Sequence, residues 1–477
     1  MSGISGCFVN GRWVMTDDRL QVRSPWSGEL VGEVSLAGEG EWEQAITAAQ
    51  EAAQALKRWS SAQRRELLQG LVAGVRARKE EFVHTIVNEG GKPLTYARAE
   101  MDRGLFTLTL AAQEADRIGG EVIPLDLLTH GKGRFGLTRR FPVGPVLGIT
   151  PFNFPFNLVA HKVGPALAAG NPIIIKPASA TPLTALKLAE VYEAAGGPPG
   201  GLQVLPTPVA LAERAVADDR LKVLSFTGSA QVGWQLKSQA GRKKVILELG
   251  GNAALIIDRD ADLGRAAHRA AIGAFAHAGQ VCIAVQRLLV HQEIFEEFTR
   301  IFLDTIGREI KAGDPSLPET VVGPFINRAA ADKVRAWVRE ALEGGARLLC
   351  GGLGEGNLMP PTVLTQVDNR MKVWREEIFG PVATLTSFSQ FPEALSLAND
   401  SDYGLQAGVF THNLDHAWQA FETLEVGGVI INDAPIFRMD HMPYGGVKAS
   451  GLGREGVRYA VRELTELRLL VLPGMPE

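Results

Sequence analysis

The chain has 477 residues, of which 45% are apolar and 21% charged, and a formal net charge of −4; it is too long for one ordinary core, so two or three domains of a soluble globular protein are expected. The charge gives no basic field for a nucleic-acid backbone and no polybasic membrane patch, and no apolar run is long enough to cross a bilayer. The three cysteines, Cys7, Cys282 and Cys350, are too scattered for a disulfide framework or a C-x-x-C zinc pair.

The opening MSGISGCFVNGRWV has no basic segment ahead of an apolar stretch, which sets the expectation of a cytoplasmic protein. The first third reads as mostly helical, with apolar residues at helical spacing from Glu41 to Trp59 and from Arg64 to Val83. A polar, Gly-punctuated stretch from Ile118 to Pro142 follows. It holds two β-like pieces, Glu121–Leu125 and Arg134–Arg140, and reads as a surface hairpin or as an arm reaching another subunit. From Val146 the pattern changes. Short β-branched runs (Val146–Thr150, Ile173–Lys176, Gln203–Leu205, Val223–Phe226, Val245–Leu249) alternate with helical segments (Asn157–Ala169, Leu183–Ala195, Val209–Ala217, Gln231–Ala240). Such alternation predicts βαβ units and a doubly wound parallel sheet. A second α/β series begins near Gly250–Gly251, with Ala254–Ile257, a helix over Leu263–Phe275, the strand Leu288–His291 and helices at Ile294–Lys311 and Ala329–Glu343.

Ligands of doubly wound sheets lie beyond the carboxyl ends of the strands, so residues just after each run are the candidates for chemistry. There stand Pro151-Phe152-Asn153-Phe154-Pro155, Lys176-Pro177-Ala178-Ser179, the small-residue turn Thr227 to Gly233, and Glu248-Leu249-Gly250-Gly251; Gly279-Gln280-Val281-Cys282 follows a helical stretch. Taken singly these are weak signals, since a Gly-rich turn is usually only a turn. Together they are an amide donor, a lysine, a phosphate-compatible turn opening a helix, a carboxylate and a cysteine.

In this set the chain resembles the aldehyde dehydrogenase superfamily along nearly its whole length. The motifs are P-F-N-F-P at 151–155, K-P-A-S at 176–179, F-T-G-S at 226–229, L-E-L-G-G at 247–251, G-Q-V-C at 279–282, E-E-I-F-G-P at 376–381 and P-Y-G-G-V-K-A-S-G-L-G-R-E at 443–455. The resemblance implies an α/β fold with a Rossmann-type cofactor domain (1–117 and 143–249), an α/β catalytic domain (250–432) and a β oligomerisation arm (118–142 and 455–477). It further implies a homodimer or homotetramer, and NAD or NADP as cofactor. Cys282 is the implied nucleophile, forming a thiohemiacetal and then a thioester. Asn153 is the implied side-chain donor to the oxyanion, and Glu248 the general base that activates water. Lys176 is expected at the adenosine ribose, Gly228, Ser229, Val232 and Gly233 beside the pyrophosphate, and Glu377 and Phe379 at the nicotinamide ribose and ring. Ser179 stands where many NAD-specific members carry Glu, which leaves room for the 2′-phosphate of NADP.

At the substrate end, Asn157 and His161 are four apart on one helix face, Arg103 lies on a helix expected to line the mouth, and Arg438 sits in a bordering segment. The pattern is nearest to the lactaldehyde, phosphonoacetaldehyde and non-phosphorylating glyceraldehyde-3-phosphate branch, so a small polar or anionic aldehyde is expected. The competing readings are a CoA-acylating enzyme, which usually lacks a carboxylate like Glu248, and a broad-specificity enzyme for apolar aldehydes. A non-catalytic protein on this fold would be expected to lose Cys282 or Glu248. A cofactor-independent cysteine hydrolase would not need Lys176 or Gly228.

Overall fold

The computed structural model describes residues 4–473; the first three residues and the last four of the expected arm lie outside them. Two large sheets dominate. The first has eight strands in the spatial order Gly451–Leu452, Lys244–Glu248, Val223–Thr227, Val146–Ile149, Ile173–Lys176, Leu202–Val204, Cys7–Val9, Arg12–Val14. Its five central strands are parallel and its flanking strands antiparallel. The central strands are apolar runs because helices cover both faces. The second sheet has seven strands, ordered Arg347–Cys350, Thr362–Thr365, Val382–Phe388, Val285–His291, Ala253–Ile257, Gln406–Phe410, Gly428–Ile431, and is parallel except at its first strand.

The helix Asn157–Ala169 is the central support of the site. All of its residues are buried, as expected of a helix packed on every side. It lies against the helix Leu94–Glu114, and Gly164 lets the two approach: a Cβ there would meet Ala111 Cβ at 3.0 Å. Both helices belong to one core with Val457, Val461 and Leu464. The C-terminal segment therefore packs on the main body through the helix Val457–Glu463. From Thr465 it leaves to form a three-stranded antiparallel sheet, Val122–Pro124, Arg134–Pro142 and Thr465–Pro473. On that last strand Leu467, Leu469, Leu470 and Val471 are exposed.

The alternating strands and helices from Val146 to Ala240 stand where the sequence places them, within a residue or two. The first third is less helical than its periodicity suggests. Five short strands precede Leu36; three are only two or three residues long, too short for a period of two to register, while Arg19–Arg23 does alternate. The helix read over Arg64 to Val83 is two helices, Ser61–Ala77 and Lys79–Gly90, broken at Arg78, whose φ of −108° and ψ of 16° leave the helical region.

Candidate active site

A cavity of about 470 Å³ is lined from both large sheets, and Asn153, Glu248 and Cys282 all face it. Glu248 is the last residue of a parallel strand, and Asn153 follows another by four residues. Cys282 lies between the helix Leu263–Phe275 and the strand Val285–His291. The chain reaches it through three consecutive left-handed residues, His277, Ala278 and Gly279. Gly279 is required there, because a Cβ would fall 2.2 Å from the carbonyl oxygen of Gly380.

The Asn153 amide donates one N–H to the carbonyl of Gln280 at 2.9 Å, which ties it to the segment that carries Cys282; its own oxygen has no partner. Both carboxylate oxygens of Glu248 are buried and unpartnered. Burial, then the neighbouring Glu455 carboxylate, pushes its pKa well up, against the pull of Arg438, Lys162 and Arg454. A carboxyl group so placed takes a proton readily. Burial also pushes the Cys282 thiol up to about 11, opposed by the Tyr444 hydroxyl and Arg438. The thiol sulfur lies 3.0 Å from Tyr444 Oη. Behind Glu248, Lys162 donates to Ser225 Oγ at 3.0 Å and Thr227 Oγ1 at 2.8 Å, and lies 3.6 Å from Glu455.

The opposite wall carries Gly228, Ser229, Glu377 and Phe379. Ser229 caps the helix Ala230–Gln239, accepting from the N–H of Val232 at 3.5 Å. Gly233 packs against Leu249, whose Cδ2 would lie 2.4 Å from any Cβ at this position, so the helix start sits close on the sheet. Glu377 accepts from the N–H of Gly251 at 3.1 Å, and burial raises its carboxyl to about 7. Phe379 adopts a left-handed backbone and sets its ring edge-on to Phe152 at 5.9 Å. Lys176, Ser179, Val232 and Gly233 do not line this cavity. Lys176 ends its strand buried, with its pKa lowered by burial alone, and makes no ion pair among the described residues; Ser179 is exposed in the following turn. Lys176 is thus a buried ammonium without an acid partner among the described residues, a group that needs a polar partner when buried.

The expected substrate-facing residues are organised by one carboxylate. Asp440, buried, accepts from both nitrogens of a fork on Arg103 (3.1 and 2.8 Å), from Asn157 Nδ2 at 3.2 Å, and pairs with His161 Nε2 at 2.8 Å. These cationic and hydrogen-bonding neighbours hold its carboxyl well below the usual carboxylate range despite burial. Arg103, Asn157 and Arg438 line the cavity, whereas His161 lies behind them and also contacts Thr107. The two residues read as one polar face are thus engaged with protein. Arg438 donates to Glu455 at 3.1 Å and keeps one buried nitrogen, Nε, without a hydrogen bond. Phe154 supports the same wall, with Lys92 Nζ 3.4 Å and Arg103 Cζ 5.7 Å from its ring centre.

Lys92, His277, Asp440, Tyr444 and Glu455 contribute to the site or its surroundings without having been singled out in the sequence. Tyr444 and Glu455 lie inside a recognised motif, so position was available but contact was not. Asp440 stands in the bordering segment that carries Arg438, so its position was available too, but its contacts with Arg103, Asn157 and His161 were not.

The aldehyde dehydrogenase family model matches residues 13–470. The chain is 43% identical over 468 residues to a 3-sulfolactaldehyde dehydrogenase of Priestia aryabhattai, with 98% of each chain covered. Among solved structures it resembles aldehyde dehydrogenase 21 of Physcomitrella patens in complex with the reaction product succinate, at a TM-score of 0.97 and 41% identity, covering 100% of this chain and 99% of that one. It also resembles the NADP-dependent glyceraldehyde-3-phosphate dehydrogenase of Bacillus halodurans complexed with NADP, at a TM-score of 0.96 and 34% identity over 99% and 100% of the two chains.

Proposed function

Because the chain belongs to the aldehyde dehydrogenase family and so oxidises an aldehyde to a carboxylate with NAD or NADP, we propose that its substrate is a small aldehyde bearing an anionic or hydroxyl-bearing tail, with Cys282, Glu248 and Asn153 as the catalytic residues. The observation that carries the reading is the meeting of these three side chains in one cavity, with both oxygens of Glu248 left free for water.

Cys282 Sγ, once ionised, adds to the aldehyde carbon, and the carbonyl oxygen becomes an oxyanion. The second N–H of Asn153 and the backbone N–H of Cys282 receive that charge. When bound, NAD or NADP would supply the acceptor for the hydride whose loss turns the thiohemiacetal into a thioester. Lys176, Gly228, Ser229, Val232, Gly233, Glu377 and Phe379 are the residues that would hold it. Glu248 then takes a proton from water as the water oxygen attacks the thioester carbon; the carboxylic acid leaves and Cys282 is regenerated. The raised affinity of Glu248 for protons suits a base that must bind one and release it each turnover.

The tail is proposed to meet Arg103, which Asp440 holds in place, and Arg438 on the same cavity wall. Asn157 and His161 act in this reading by fixing Asp440. The three relatives above are named for, or complexed with, sulfonated, dicarboxylic or phosphorylated compounds, and a cationic rim suits all three tails. A panel comparing kcat/KM for 3-sulfolactaldehyde, lactaldehyde and succinic semialdehyde with hexanal is expected to favour the polar set by about tenfold or more. Arg103→Ala is expected to reduce the anionic members about tenfold and hexanal hardly at all. A parent enzyme that uses hexanal as well as the polar set would remove this substrate reading.

We propose that Ser179, exposed in the turn after Lys176, stands at the ribose edge of the cofactor site and leaves it uncharged, so that NADP is accepted. Ser179→Glu is expected to lower kcat/KM for NADP about tenfold more than for NAD, because a carboxylate there would face the 2′-phosphate. Equal effects on the two nucleotides would take Ser179 out of cofactor choice. The exposed leucines of the strand Thr465–Pro473 support assembly of two or four copies through the three-stranded sheet.

A further inference from the structure

The hydroxyl of Tyr444 has one hydrogen-bond partner among the described residues, and it is Cys282 Sγ at 3.0 Å. Tyr444 is buried at 3% exposure, and it packs with Val281, Ile283 and Leu405 around the cysteine. On its ring face Arg438 Cζ lies 3.6 Å from the centre, and that guanidinium donates to Glu455 at 3.1 Å. The ring is therefore clamped, and its one polar atom is aimed at the sulfur. The reaction as assigned above gives Tyr444 no part.

We propose that Tyr444 is a positioning residue for the nucleophile: its hydroxyl donates to Cys282 Sγ, holding the sulfur toward the cavity and favouring its ionised form, with Arg438 stacked on the ring as the clamp. The thiol proton leaves to solvent when the S–H bond breaks, and the hydroxyl keeps its own. A thiolate accepts a hydrogen bond better than a thiol does, so the contact strengthens on ionisation and weakens once sulfur is bonded to carbon. The other ionisable groups facing the sulfur are Glu248 and Glu377, which oppose ionisation, and Arg438, which favours it. With two carboxylates opposing ionisation and one cation favouring it, the Tyr444 hydroxyl is the one hydrogen-bond partner of the sulfur among the described residues. The inference rests on Cys282 being the nucleophile.

The test is the pH dependence of iodoacetamide alkylation in full-length enzyme, parent against Tyr444→Phe, with Cys282→Ala subtracting reaction at Cys7 and Cys350. Alkylation reads the thiolate directly and needs no turnover, so it is separable from the assignment of the nucleophile, which Cys282→Ala activity tests by itself. The expected result is a midpoint shifted to higher pH, with the rate below the midpoint reduced about fivefold and the limiting rate at high pH retained. Tyr444→His, which keeps a ring-borne donor, is expected to recover part of the shift, and nucleotide binding is expected to be unchanged in both. An unmoved profile overturns the proposal, even if melting temperature falls. So does a Phe variant that fails to fold, because the hydroxyl would then serve the fold.

Discussion

Cys282→Ala is expected to lose aldehyde oxidation by about 10⁴-fold or more while still binding nucleotide. The expectation follows from the separation of parts. Lys176, Val232 and Gly233 stand outside the cavity that holds Cys282, and the helix start at Ser229 is held by its own cap and by Leu249. None of these contacts passes through the thiol. No neighbour can replace it as nucleophile either: Tyr444 is the nearest hydroxyl, and burial raises its pKa well above the usual phenol value. Steady-state oxidation read by nicotinamide absorbance, alongside nucleotide binding read by fluorescence quenching, checks both halves. Turnover near the parent rate in the alanine variant would end the thioester mechanism.

Glu248→Gln separates the two halves of the reaction. The amide keeps the shape of the side chain and cannot take the proton from water. Both Glu248 oxygens are free of protein hydrogen bonds, so the substitution breaks no internal contact. In the proposed mechanism the thioester forms without this base and is hydrolysed with it. The expected record is a burst of reduced nucleotide near one equivalent per site, followed by a steady rate lower by about 10²–10⁴-fold. Rapid-mixing absorbance would show it, and mass spectrometry of quenched enzyme would find the acyl group on Cys282. A steady rate equal to the parent's would mean that another group activates water; Glu455, engaged with Lys162 and Arg438, would be the next to examine.

The parallel strands were legible because a buried strand between helices is a short run of Val, Ile and Leu, and here five such runs sit between helices of clear period. Their carboxyl ends then pointed to Asn153, Lys176, Gly228 and Glu248 before any contact was known. The short N-terminal strands were not legible. They are two to six residues long, and their pairing is with segments far away, such as Phe8 with Val204. At the site, residue types and spacing pointed to Asn157 and His161 as polar, and burial makes them so placed that each needs a partner. What spacing along one helix could not reveal was Asp440, which lies 283 and 279 positions away from them. The same limit hid the contact of Tyr444 with Cys282, formed across 162 positions.

Asp440 has a consequence for how the substrate range of such an enzyme can drift. One carboxylate serves Arg103, Asn157 and His161 at once, so Asp440 is not free to change singly. Loss of Asp440 alone would strand buried partners, a penalty of about 3–5 kcal/mol for a broken buried pair, comparable to much of a domain's net stability. Yet replacing the whole group by apolar side chains of matching volume would cost far less, because no polar group would be left unpaired. The path from an anionic to an apolar aldehyde therefore crosses a ridge, with stable sequences on either side and unstable single substitutions between. The proposed catalytic set lies off this ridge, since Asn153, Glu248 and Cys282 make no hydrogen bond to Asp440, so a lineage could cross it with its chemistry intact.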